Sequence, residues 1–414
     1  KLSYAVEEKL TKAKVIPVIV RTKKERFKEL VDKYSKPSLI RQFSLYRNVK
    51  IPLFSMFSAV LTSGSLEEIN NESGVLGVYT NGRRMMMYHL ALGQQFTSSA
   101  ETIEYVGADK LQSMGYRGEG VNVGVVDTGL VLHHPQISTP VNFRFTRYSS
   151  VFNNPVDFEG HGTYCTLLVA GKPAYAFLTG IRSGRPNLLV KGFASKSKWY
   201  SAKALGYGLG IGSDADLLKG MELLIRNGVK IINMSWGGYD PGDVYDFLIP
   251  ALTKKGFIFV AAAGNQPGVV SSPGDQRDAL TVGAWDSMTE RVPTWSGYQQ
   301  FDKYSKPDLV MPGVSVLNGS SGWLSFVDRN FGRYAILSGT SVATAHATGM
   351  ITLLAELYKK QIGKELTTNE VKAILCQKTN LSQCEAEKTE AGNGLLNFDV
   401  IKSWVETEYG VELK

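Results

Sequence analysis

The sequence predicts a mainly parallel, doubly wound α/β sheet with helices on both faces, preceded by a small α+β unit. Three observations lead there. From about residue 119, short apolar runs alternate with helical stretches; the runs are Val121–Val126, Lys230–Met234, Phe257–Ala262 and Leu280–Val282. Apolar strands of this kind suit a parallel sheet covered on both sides. Before residue 91 the chain has a different rhythm, and residues 91–107 (ALGQQFTSSAETIEYVG) form a mixed, polar stretch between the two. The division expected is therefore 1–90 and 91–414, within a length that accommodates one large core and one smaller one.

In the first unit, Val15–Val20 (VIPVIV) reads as a strand. Lys24–Tyr34 places Phe27, Leu30, Val31 and Tyr34 at helical spacing. Strands are expected near Leu39–Leu45 and Phe54–Leu61. Ser65, with Glu68 three residues on, suggests a capping box for a second helix. A last strand is expected near Arg83–Leu90. The resulting order β-α-β-β-α-β is ferredoxin-like.

Charge narrows the function. The net charge is +8, and the first 90 residues carry all of it, with 16 Lys and Arg against 8 Asp and Glu; beyond them the two signs balance at 30 each. No basic stripe with interleaved aromatics follows, so nucleic acid is not an expected partner. No apolar run reaches the roughly 18 residues of a membrane span. The chain begins at Lys1, read as the absence of a signal peptide already removed or left out. The three cysteines, Cys165, Cys376 and Cys384, make neither a disulfide scaffold nor a CxxC metal site. Cys376 and Cys384 could close a small loop or stand as two buried thiols. Cys165 lies four residues after His161, on the same face of a helix, and reads as a small buried hydrophobe.

Four residues suggest chemistry. Val121–Val126 ends in Asp127-Thr128-Gly129, and catalytic groups gather at the carboxyl ends of parallel strands. His161, between Gly160 and Gly162, opens a helical run. Phe257–Ala263 leads into Gly264-Asn265, whose amide can donate to an oxyanion. Ser341 enters the helical run Ala343–Tyr358, where free backbone N–H groups and the dipole's positive end are available. Each is ordinary alone: a serine entering a helix is usually a cap, and an asparagine after glycine a turn residue. Their order, acid then base then amide then nucleophile, is what distinguishes them. A lone Asp-Thr-Gly would also suit an aspartic protease, but no second copy exists. Ser341 lacks the G-x-S-x-G of α/β-hydrolases.

These boxes resemble the subtilisin family. They comprise Val125-Val126-Asp127-Thr128-Gly129, Gly160-His161-Gly162-Thr163, Ile232-Asn233-Met234-Ser235-Trp236-Gly237, Lys306–Gly313 (KPDLVMPG) and Gly339-Thr340-Ser341-Val342-Ala343-Thr344 continuing to His346. Three positions depart from the family: Ala345 where proline is usual, Trp236 where a smaller aliphatic residue is common, and Trp295 in the Trp295-Ser296-Gly297 turn. His161 also argues against the related sedolisins, which use a Glu. The resemblance implies a secreted, monomeric serine endopeptidase with Asp127, His161, Ser341 and Asn265 in the family's four catalytic roles and no cofactor for the chemistry. It implies a polypeptide substrate lying as an added strand between Ser235–Gly238 (Ser235, Trp236, Gly237, Gly238) and Gly208–Gly210 (Gly208, Leu209, Gly210). Ala262, Ala263 and Gly264 would line a first pocket open to a large apolar side chain. The first unit resembles the family's inhibitory, folding-assisting propeptide, with Met85–Leu90 as its cleft-blocking strand. Processing is expected between Leu90 and Ala91, with Leu92–Gly93 as the alternative, and with Leu90 in the primary pocket and Met87 three residues further back. Structural calcium is implied by the resemblance, but the chain has no D-x-D-x-D-G loop and no ligands are assigned. Of the N-x-[ST] sequons at Asn71, Asn233, Asn318 and Asn380, Asn233 is expected in a buried strand.

Overall fold

The computed structural model describes residues 1–10, 13, 15–35, 48–90, 95–137, 154–177, 187–206, 210–240, 243–325, 333–376 and 388–413. Its centre is a six-stranded sheet, all parallel. The strands run in the order Lys198–Lys203, Asn122–Asp127, Ile231–Met234, Ile258–Ala262, Leu280–Trp285 and Leu309–Pro312. The expected strands begin within one residue of these, and the one expected at Leu280–Val282 runs three residues further, to Trp285. The first strand in sequence lies second in the sheet, so the order reverses between Asn122–Asp127 and Ile231–Met234. That reversal opens a crevice at the strands' carboxyl ends.

Helices cover both faces. His161–Ala170 and Thr340–Leu357 share one hydrophobic core with Val123, Val260 and Val282; Asp214–Arg226 and Asp243–Thr253 share another with Val126, Ile232 and Phe259. Thr340–Leu357 can lie close to the sheet because small residues line it: Ala343, Ala345 and Ala347 are fully buried, and a Cβ on Gly349 would come within 2.6 Å of the Phe193 ring. The helix runs unbroken through Ala345, the position of the expected proline. Its far end is anchored by the buried Glu356 carboxylate, which accepts the backbone N–H groups of Arg117, Gly118 and Glu119 at 2.7, 2.6 and 3.0 Å.

The N-terminal residues form a separate four-stranded antiparallel sheet, ordered Lys50–Ile51, Met56–Thr62, Val15–Thr22 and Val75–Thr80. With the helices Phe27–Tyr34 and Ser63–Asn71 this gives the expected ferredoxin-like order. Three details differ. Val75–Thr80 supplies the fourth strand, whereas Arg83–Met86 leaves this sheet altogether. Thr62 is the cap of the second helix, its side chain accepting from Ser65 N–H, and Glu68 pairs instead with Lys33 at 3.0 Å. The strand expected near Leu39–Leu45 lies outside the described residues, and Lys50–Ile51 forms the second described strand.

Strand alternation buries both faces of this small sheet. Val18 and Val20 point to its own helices, while Ile19, with Ile51 and Met56, packs against Leu217, Leu218 and Met221 of the Asp214–Arg226 helix and its surroundings. Polar contacts fix the docking. Asp243 accepts the Thr80 N–H and hydroxyl at 3.1 and 2.8 Å, Glu222 accepts Leu53 N–H at 2.7 Å, and Asn81 accepts Ala215 N–H at 3.0 Å.

Removing the Glu356 carboxylate takes the acceptor from three amides, of which the Gly118 N–H is buried. Glu356→Ala, in a Ser341→Ala background that prevents self-digestion, is expected to lose about 3 kcal/mol of stability, measured as a lower midpoint of urea unfolding.

Candidate active site

Asp127 is the last residue of its strand, and its carboxylate reaches into the crevice. Its Oδ1 accepts Thr128 N–H at 2.7 Å and lies 2.8 Å from His161 Nδ1. His161 opens its helix because Gly160 takes a left-handed conformation (φ 101°) that also clears the Ser321 carbonyl, which a Cβ would meet at 2.0 Å. A buried carboxylate absent from the sequence reading, Asp157, ties the two together. Its Oδ1 accepts Thr128 Oγ1 and Gly160 N–H, and its Oδ2 accepts Thr163 N–H and Oγ1. Thr128 Oγ1 in turn accepts Gly162 N–H at 2.7 Å. The one available signal was an acid four residues before His161, at the start of its helix.

Burial disfavours the imidazolium of His161, but the adjoining Asp127 carboxylate outweighs it and holds the ring well above the ordinary histidine value in this filled cleft. Cys165 is buried on the same helix face, its Sγ 3.9 Å from His161 Nδ1, and burial pushes its thiol up, leaving it neutral. The other described buried histidines differ. His134 and His346 are both lowered to about 4, chiefly by burial; His346 spans Val342 O and Thr102 Oγ1 at 2.9 and 2.7 Å.

Ser341 lies in the first turn of Thr340–Leu357, fully buried, and its Oγ has no hydrogen-bond partner. Asn265 follows the Ile258–Ala262 strand after Ala263 and Gly264. Its Oδ1 accepts Thr340 N–H and Oγ1 at 3.0 and 2.9 Å, which fixes the amide and leaves the NH2 as its donor. Gly297 N–H, from the Trp295-Ser296-Gly297 turn, holds Gly264 O at 2.8 Å.

The cleft is occupied by the chain itself. Arg83–Met86 pairs antiparallel with Ile211–Ser213 on one edge and Trp236–Gly237 on the other. Met86 N–H donates to Gly210 O at 3.2 Å and Met87 N–H to Ser235 O at 3.4 Å. Of the segments expected to flank a substrate, Ser235–Gly237 and Gly210 border this strand of the chain itself, Gly238 sits beside Arg84, and Gly208 and Leu209 lie outside the described residues. Trp236 is fully buried against Tyr245, ring centroids 6.1 Å apart. Ala262, Ala263 and Gly264 are all buried, at and just beyond the carboxyl end of the Ile258–Ala262 strand.

Register departs from expectation. Ser341 N–H donates to the Met87 carbonyl at 3.0 Å, and a Cβ on Gly339 would meet that oxygen at 2.4 Å. Tyr88 lies against His161, centroids 5.5 Å apart. Leu90 is displaced from the serine and pairs with Leu337 in a different sheet; Ala91 lies outside the described residues. The backbone pairing on both edges brings the Met87 carbonyl, three residues before Leu90, to Ser341.

Residues 118–397 match the subtilase family. The chain belongs to that family. Among its relatives, subtilisin DY of Bacillus licheniformis is 28% identical over 310 residues, which cover 72% of this chain and 98% of the relative. Subtilisin Savinase of Lederbergia lenta is 30% identical over 256 residues, 61% of this chain and 83% of the relative. The major intracellular serine protease of Bacillus subtilis is 27% identical over 306 residues, 72% and 86%. This subtilase is a serine endopeptidase on a doubly wound α/β fold.

Among the described residues, the His, Cys, Asp and Glu donors that converge as three or more are Asp127, His161 and Cys165. Calcium takes six to eight oxygens, so this nitrogen- and sulfur-bearing group does not fit it, and the calcium expectation gains no ligand set here. Cys376 is exposed at the end of its helix rather than buried, and Cys384 lies outside the described residues. No helix among the described residues is long and apolar enough to cross a membrane. Asn233 and Asn318 are buried; Asn233 bridges Ser235 Oγ and Thr348 Oγ1.

Because Ser341 is buried beneath Met87 and Tyr88, the intact subtilase chain is expected to react with a fluorophosphonate far more slowly than folded enzyme from which residues 1–87 have been cut and removed. Labelling rates followed by mass spectrometry compare the two, and equal rates would contradict a sealed cleft.

Proposed function

We propose that this chain is the proenzyme of a subtilisin-like endopeptidase, and that it processes itself at the Met87–Tyr88 bond. The observation that carries the reading is the Met87 carbonyl oxygen, 3.0 Å from the backbone N–H of Ser341. Ser341 Oγ is the nucleophile. His161 takes its proton, and Asp127 holds the imidazole through Nδ1 and stabilises the imidazolium that forms. As Oγ bonds to the Met87 carbonyl carbon, charge develops on the oxygen, where Ser341 N–H and the Asn265 NH2 receive it. The C–N bond then breaks, the proton on His161 passes to the Tyr88 nitrogen, and Met87 is left as an ester on Ser341. Water, deprotonated by His161, releases Met87 as a carboxylate. Asp157, which touches no reacting atom, is a positioning residue for both Asp127 and His161.

In this reading residues 1–87 are the inhibitor and folding assistant and 88–414 the catalytic unit, a boundary three residues earlier than the sequence suggested. The cleaved strand keeps its backbone pairing on both edges, so cutting alone does not clear the cleft. An enzyme made with its own plug suits one that acts outside the cell, and we place it there as a monomer; cell fractionation and sedimentation test both points.

Three outcomes are expected. Wild-type chain should yield fragments ending at Met87 and beginning at Tyr88 by mass spectrometry, while Ser341→Ala stays whole; a cut at Leu90–Ala91 would restore the earlier register. Asp127→Asn should lower kcat/KM by about 10⁴-fold. Asp127 raises the His161 pKa, and only neutral His161 accepts a proton, so the wild-type acid limb should lie above the ordinary histidine value. In Asp127→Asn the residual activity should persist to lower pH, which pH–rate profiles read directly.

A further inference from the structure

The segment filling the cleft alternates. Arg84 and Met86 point inward and are buried, while Met85 points outward, 41% exposed. Arg84 is therefore a fully buried cation, the fourth residue back from the Met87–Tyr88 bond. Its guanidinium meets the equally buried Asp214 through two contacts, Nε to Oδ1 at 2.8 Å and Nη2 to Oδ2 at 3.1 Å. Nη1 donates to the carbonyl oxygens of Asp240 and Arg83 at 3.0 and 3.3 Å. The Tyr245 ring lies 5.9 Å from the guanidinium carbon.

Asp214 is a fixed receptor. It is the first residue of the Asp214–Arg226 helix, and its Oδ1 is held by the Tyr245 hydroxyl at 2.8 Å. The wall opposite is a glycine that lets the strand approach: a Cβ on Gly238 would stand 2.6 Å from the Arg83 carbonyl oxygen and 2.8 Å from Nη1. Asp214, Tyr245, Gly238 and Asp240 all belong to the catalytic portion and stay when residues 1–87 leave. Any substrate strand that follows the same backbone pairing presents its own fourth residue to them.

We infer that this pocket selects polypeptides carrying an arginine four residues before the cleaved bond, with Asp214 as the specificity-determining carboxylate. The inference rests on the reading of Met87 as the residue whose carbonyl is attacked. A planar guanidinium satisfies both oxygens of Asp214 at once; a lysine offers a point charge and satisfies fewer. An apolar residue leaves the carboxylate enclosed with no cation, which is strongly unfavourable, and a glutamate adds repulsion.

The test uses mature wild-type enzyme, counted by fluorophosphonate titration, and quenched peptides with the sequence of residues 82–92. The Arg84 position is kept or changed to Lys, Leu or Glu. The arginine peptide should be cut at Met–Tyr, with kcat/KM about 100-fold or more above the leucine peptide, lysine between them and glutamate slowest. Asp214→Asn enzyme should lose most of the preference. If it fails to fold, the wild-type series still decides. Equal cleavage of the arginine and leucine peptides at Met–Tyr overturns the pocket and leaves the protease reading intact. Titratable enzyme that cuts the peptides at another bond overturns the register and the pocket with it. Absence of both titration and cleavage overturns the protease reading itself.

Discussion

An extended backbone carries hydrogen-bonding groups on both edges, and Arg83–Met86 has both edges taken. That double pairing is the constraint on which the rest of the cleft depends. Pairing with Ile211–Ser213 and Trp236–Gly237 fixes the register, and a fixed register determines which carbonyl meets Ser341 and which side chains turn inward. A slip of one residue would expel Arg84 from Asp214 and turn Met85 into its place. Each backbone bond contributes only about 1 kcal/mol net. The ladder therefore sets geometry, and much of the binding strength comes from burying the face of the N-terminal sheet that bears Ile19, Ile51 and Met56.

How much of this was legible in the sequence follows from how local each signal is. The parallel strands announce themselves because burial on both faces demands unbroken apolar runs, and those runs survive as Asn122–Asp127 and Ile258–Ala262. The convergence of Asp127 and His161 was legible from their order and their positions at element ends. The register was not. Residues 83–90 (RRMMMYHL) lack a polar–apolar alternation, so nothing local says which residue faces the serine. Asp157 and Asp214 escaped notice for a related reason: carboxylates read as surface residues. Their partners include Thr128, 29 positions away, and Arg84, 130 positions away.

Charge and apolar surface divide the work at the seam between the N-terminal sheet and the helices beneath it. Ile19, Ile51 and Met56 supply contact area without direction. Asp214, Glu222 and Asp243 accept backbone N–H groups of Gly82, Leu53 and Thr80, and these directional contacts discriminate against neighbouring orientations. Arg84 joins both kinds of contact, its stem within the cleft and its head on a carboxylate.

The small sheet, finally, has two inner faces rather than one. Val18 and Val20 answer to its own helices, but Ile19 between them answers to a surface more than 190 residues further along the chain. The two stretches of sequence consequently cannot drift apart in evolution. An N-terminal unit borrowed from a relative would fold around its own core and still be a stranger to this enzyme, unless its second face had changed in step with Leu217, Leu218 and Met221.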